Sequence, residues 1–217
     1  MQTTEAVDTL APAGVEMRVR ASALPLAVGA VVAAVAAFLW HQLGAWPPHE
    51  DETLALFVGR NSLGGLFDAV LYDRGGAPLH FVVAWVVVHL GFGLDALRAC
   101  SAFFAVASLP VVAALVRRLA DRGTALIATV IAGASWILLF HGVYARMYSL
   151  FLFTSALSYL ALLHALDRGG RRAWTLWGIA FLATVATHPY GAIVLATQGL
   201  YVLLARRRTR EALLAIA

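Results

Sequence analysis

The 217-residue chain is 61% hydrophobic and 13% charged, with a mean hydropathy of +0.80, which excludes an ordinary water-soluble domain. A formal charge of +4 and a pI near 9.7 would suit nucleic acid, but all 16 basic residues are arginines, most of them clustered between apolar runs. That is the pattern of membrane topology signals, so an integral membrane protein is expected and nucleic acid is not a partner.

In chain order, residues 1–21 form a polar tail that ends with Arg18 and Arg20. The apolar run 22–40 is longer than the usual signal-peptide core of about 7–15 residues. It reads as an uncleaved signal anchor behind a cytoplasmic N-terminus. Pro47-Pro48 closes a short loop, and His49-Glu50-Asp51-Glu52 follows directly.

Asp51 and Glu52 fit two readings. They are the N-cap and first-turn acids of a helix starting near Thr53, complementing its dipole. Alternatively, they are carboxylates fixed at a low-dielectric boundary, able to act as a general base towards a hydroxyl. The apolar, amphipathic stretch 52–68 predicts one surface helix. Asp73-Arg74-Gly75-Gly76-Ala77 is turn chemistry, and Pro78 opens a second helix over 78–91. This connector, with His80 at its end, is either a plain link or a lid that meets the acceptor.

Further apolar runs lie at 99–116, 123–141, 147–166, 173–187 and 190–205. A crossing helix needs roughly 20 residues, with about 17 as the lower limit. The doubtful run is 78–94, which carries His80, His89, Gly91 and Gly93. If it lies on the membrane without crossing, 12 arginines fall inside and only Arg60, Arg74, Arg98 and Arg146 outside. If it crosses with the same N-terminus, the split reverses, against the positive-inside rule; flipping the whole chain as well restores 12 to 4 but puts Arg18 and Arg20 outside the first span, which usually sets orientation. The expectation is therefore an all-α polytopic bundle of about six transmembrane helices. Two juxtamembrane helices occupy a first external loop over 41–96, and 22–217 forms one transmembrane domain.

In this topology Asp51, Glu52, His141, Tyr144, Arg146, Tyr148 and His188 share the external face. Arg98 and Arg146 run against the charge bias. A guanidinium offers a planar fork of donors suited to phosphate, although an interfacial arginine beside aromatic-belt tyrosines would look the same. His188-Pro189-Tyr190-Gly191 makes a tight turn that presents His188 either to a head group or to solvent. No cofactor is assigned. A divalent metal on His49, His80 and His141 is left open, without the His-x-x-x-His spacing that would support it. Cys100, the single cysteine, allows no internal disulfide and reads as a small core residue.

Taken in order, these landmarks resemble the GT-C superfamily of polytopic glycosyltransferases, in the branch of the protein O-mannosyltransferases and the lipid A aminoarabinose transferases. The matching residues are Asp51-Glu52, Ala77-Pro78-Leu79-His80, Leu97-Arg98 with Ser101, Tyr144-Ala145-Arg146-Met147-Tyr148 and Thr187-His188-Pro189-Tyr190. They cover about 40 to 205. The resemblance implies a cell-envelope enzyme of the bacterial plasma membrane. It would move a sugar from a polyprenyl-phosphate donor to a lipid, glycan or protein acceptor, with inversion. Asp51 would be the base and Glu52 would position it or the acceptor. Arg98, Arg146, Tyr148 and His188 would hold phosphate or sugar, and His80 would lie on the acceptor side. Family members are much longer, so the sequence corresponds to an N-terminal portion, and activity of this stretch by itself is left open. The competing readings are a transporter or lipid flippase, and a non-catalytic truncated relative. Against a transporter, the runs are nearly free of charge and no inverted repeat is evident.

Overall fold

The computed structural model describes residues 23–73 and 76–205. The expected cytoplasmic tail, Arg74 and the Arg206–Arg210 cluster therefore lie outside the described residues. The fold is all-helical, with no strand among the described residues.

Three helices are long and apolar enough to cross a membrane: α1 (Ala23–Gln42), α5 (Leu94–Leu119) and α8 (Met147–Arg168). The 123–141 run, expected as one span, is broken at Ser135 into α6 (Arg122–Ala134) and α7 (Trp136–Val143), which bend by 51°. Ser135 takes an extended conformation that ends the first helix. The last two runs form α9 (Arg171–Thr187) and α10 (Gly191–Ala205), of 17 and 15 residues. By length these sit at or below the crossing limit, so length and composition support three spans, or four with the bent pair.

The segment between α1 and α5 also differs from expectation. Instead of one helix over 52–68 there are two, α2 (Glu50–Gly59) and α3 (Leu63–Asp73). The Gly59-Arg60-Asn61-Ser62 sequence supplies the stop and the restart: the Ser62 hydroxyl accepts the Gly65 amide and its carbonyl the Leu66 amide. The helix opened by Pro78 is α4 (Leu79–His89).

The central element is α5, which packs against α1, α6, α7 and α8, while α8 packs on α9. Leu39, Ala105, Leu109, Leu138 and Val143 form the main buried cluster where α1, α5 and α7 meet. Large apolar side chains such as Leu26, Trp136, Ile137 and Ile179 face outward, as lipid contact requires. Hydroxyls within the helices are satisfied locally: Thr129, Thr154 and Thr184 each donate to the carbonyl four residues back. Gln198 joins three helices, accepting from Trp177 Nε1 and donating to the Ser158 hydroxyl.

Helix α2 lies so close on α4 that a Cβ added at Gly59 would meet the Ala84 carbonyl carbon at 3.0 Å and the Trp85 amide at 3.1 Å. These are backbone atoms with no rotamer to yield. Gly59→Ala is therefore expected to destabilise the protein by about 1–3 kcal/mol. Gly64→Ala, at a site with nothing within 4 Å, is expected to be neutral or slightly stabilising through helix propensity. Thermal unfolding of the two variants in detergent checks the contrast.

Candidate functional site

The helix α2 begins at Glu50, so the acid cluster occupies its first turn. Glu52 faces inward and is completely buried, whereas Asp51 is 41% exposed. Neighbours in sequence thus have opposite environments, because successive helical residues point about 100° apart.

Glu52 meets Arg98 of α5 in a two-pronged ion pair, with Nε to Oε1 at 2.9 Å and Nη2 to Oε2 at 2.8 Å. The remaining Arg98 donors go to backbone carbonyls: Nη1 to Leu43 and Trp46, Nη2 to Pro47. These carbonyls are available because Pro47 and Pro48 have no amide hydrogen, which keeps the loop from closing into a helix. Glu52 is equally occupied, with Oε1 accepting the Ala145 amide and Oε2 the His49 amide. The Arg98 guanidinium also lies 5.6 Å from the Tyr144 ring centroid. Burial alone would raise the Glu52 carboxyl, but the hydrogen bonds from Arg98, Ala145 and His49 bring it below the ordinary carboxylate value.

This arrangement corrects two sequence-based assignments. Arg98, expected at the start of a span and free for phosphate, does lie near the start of α5, but all five of its donors are engaged. Glu52, expected beside Asp51 at the reacting surface, is closed off from it.

Asp51 has a different partner. Its carboxylate forms an ion pair with Arg146 Nη2 at 2.8 Å. Arg146 precedes α8, rests over the Tyr148 ring at 5.0 Å, and keeps its buried Nε without a hydrogen-bond partner among the described residues. From Tyr148 a row of rings continues. The His141 ring lies 4.3 Å away and that of His188 5.7 Å, and His188 in turn touches Phe151 and Tyr190 at 5.2 and 4.6 Å. Asp51, Arg146, Tyr148, His141 and His188 therefore form one continuous polar and aromatic strip. On its other side Asp51 lines an open depression with Thr53, Phe57 and Arg60.

His80, expected on the acceptor side, is buried at the start of α4, beside Ser101 and Arg146 in a small internal cavity. Burial pushes its imidazole down to about 4, opposed by a hydrogen bond to the Ala145 backbone and assisted by the Arg146 charge. It is held neutral, inside. Among the described residues no three His, Cys, Asp or Glu side chains converge to hold a metal ion. Sequence reasoning passed over the Ser149 hydroxyl, which donates to the His141 carbonyl at 2.8 Å. A serine in an apolar run carried no signal of it.

Two predictions follow from the buried groups. Glu52→Gln removes one charge of a desolvated pair and leaves the other uncompensated, so a loss of about 3–5 kcal/mol in unfolding free energy is expected. A double replacement that removes both charges, Glu52→Gln with Arg98→Met, is expected to recover part of it. For His80, the folded imidazole takes a proton only near pH 4, whereas the unfolded chain takes one near 6.5. The stability this neutral burial requires is complete above pH 6.5 and is lost as pH falls from 6.5 towards 4. Unfolding free energy measured between pH 7 and 5 is expected to fall more steeply in wild type than in His80→Gln.

The chain matches no protein-family model, no curated protein and no solved structure.

Proposed function

We propose that this chain is a membrane glycosyltransferase that transfers a sugar from a polyprenyl-phosphate donor to an acceptor hydroxyl at the external membrane face, with inversion. The observation that carries the reading is the contrast between two arginines. Arg98 is saturated, while Arg146 keeps donor capacity next to an accessible carboxylate. A phosphate arriving at Arg146 would compete for donors now engaged on Asp51 and release that carboxylate to act.

In the proposed reaction Asp51 accepts the proton of the acceptor hydroxyl, whose oxygen bonds to the anomeric carbon. The bond from that carbon to the phosphate oxygen breaks, and polyprenyl phosphate departs with its charge facing Arg146. A fixed cation at the leaving group is effective where water is scarce. Tyr148 and His141, which are partly exposed, offer flat surfaces against which a sugar ring can rest, with His188 buried against Tyr148. The topology belonging to this reading has six crossings, with α2, α3 and α4 on the outer surface and the N-terminus cytoplasmic. It is supported by the division of the arginines.

The test uses the full chain in lipid vesicles with a panel of polyprenyl-phosphate hexoses and pentoses, following release of polyprenyl phosphate. Asp51→Asn keeps the shape but accepts no proton, so release is expected to fall by about 10²–10⁴-fold. Polyprenyl phosphate is expected to raise the melting temperature of wild type but not of Arg146→Gln. Turnover that persists in Asp51→Asn would remove it as the base. If polyprenyl phosphate binds without regard to Arg146, the reading fails.

A further inference from the structure

The loop between α7 and α8, Tyr144-Ala145-Arg146, is held by side chains from three other helices. Ser101 of α5 donates its hydroxyl to the carbonyls of both His141 and Tyr144, at 2.9 and 3.0 Å. Glu52 of α2 accepts the Ala145 amide at 2.7 Å. His80 of α4 is buried beside Ser101 and Arg146 around the small internal cavity next to the loop. Within the loop, the Arg146 amide donates to the Tyr144 carbonyl at 2.8 Å. Ser101, Glu52 and His80 are each at least nine-tenths buried, and Ala145 is fully so.

Such an arrangement exceeds what a connecting loop needs. Carbonyls at a helix C-terminus are ordinarily satisfied by water or by a glycine turn. Here they are met by the buried Ser101 hydroxyl of a neighbouring helix. An arginine side chain has many rotamers, and its reach becomes specific only when its backbone is fixed. We propose that Ser101, Glu52 and His80 are positioning residues, which clamp residues 144 and 145 so that the next residue, Arg146, meets Asp51. None of the three touches the accessible face. They act through two backbone units. The inference deepens the reading of Asp51 and Arg146 as the reacting pair, but its test requires neither sugar nor lipid phosphate.

The test places a reporter thiol at position 51 by Asp51→Cys in a Cys100→Ser background and follows the pH dependence of its alkylation by iodoacetamide. A neighbouring guanidinium favours the thiolate and lowers the pH at which reaction becomes half-maximal. The parent is expected to react with a midpoint about one unit below that of the same protein carrying Arg146→Gln, about tenfold in the thiolate equilibrium. Adding Ser101→Ala is expected to move the midpoint at least halfway to the Arg146→Gln value, while Ser101→Thr, which keeps the hydroxyl, restores it. His80→Leu should act in the same direction as Ser101→Ala. Cooperative melting, recorded for each variant, separates displacement of Arg146 from loss of fold. If Ser101→Ala melts cooperatively and keeps the parent midpoint, the clamp does not position Arg146. A parent midpoint equal to that of Arg146→Gln would also overturn the proposal, since there would be no pair to position. Absent sugar transfer would leave the thiol result unaffected, so the two readings fail separately.

Discussion

A carboxylate and a guanidinium taken out of water together are tolerated only when nearly every lone pair and hydrogen finds a partner. The Glu52–Arg98 pair meets that condition through contacts that reach four separate parts of the chain. The loop after α1 gives its carbonyls, α2 gives the carboxylate, α5 the guanidinium, and the loop before α8 an amide. Once those partners are fixed, much else is determined. Asp51, one residue earlier on α2, must face outward. Arg146, one residue after Ala145, must emerge beside it. The buried pair does not react, but it sets where the exposed pair stands.

The placement of α2 and α4 follows from the same constraint. α2 can hold Glu52 against α5 only if it lies flat against its neighbours, and Gly59 lets its backbone touch that of α4. α4 then brings His80 under the α7–α8 loop. The bend at Ser135 has a comparable effect, directing α7 towards α5 so that the carbonyls of His141 and Tyr144 meet Ser101.

Parts of this were legible in the sequence, for clear reasons. The runs 22–40, 99–116 and 147–166 read as helices because long apolar stretches have few other outcomes, and they lie within α1, α5 and α8. The break at Ser135 was hidden because hydropathy is insensitive to backbone angle. The division of 52–68 was written in Gly59 and Ser62, but the apolar residues around them masked it. At the site, residue type pointed to Asp51, Arg146, Tyr148 and His188, and these lie in one strip. Arg98 and Glu52 were assigned by type too, and type cannot tell an exposed arginine from a saturated one. That distinction rests on three carbonyls, and every residue has a carbonyl.

The hydrogen bond from Ala145 to Glu52 spans 93 positions, and this has a consequence for biogenesis. Everything from α1 to α7 has to be synthesised before the carboxylate gains its last donor. Until then Arg98, near the start of α5, is supported only by partners earlier in the chain. The loop carrying Arg146 closes the arrangement, so the strip takes shape after most of its scaffold is in place. Closure of long loops is the slow part of folding. A substitution in that loop would leave the earlier helices formed and the strip incomplete, a defect visible as faster proteolysis around Arg146.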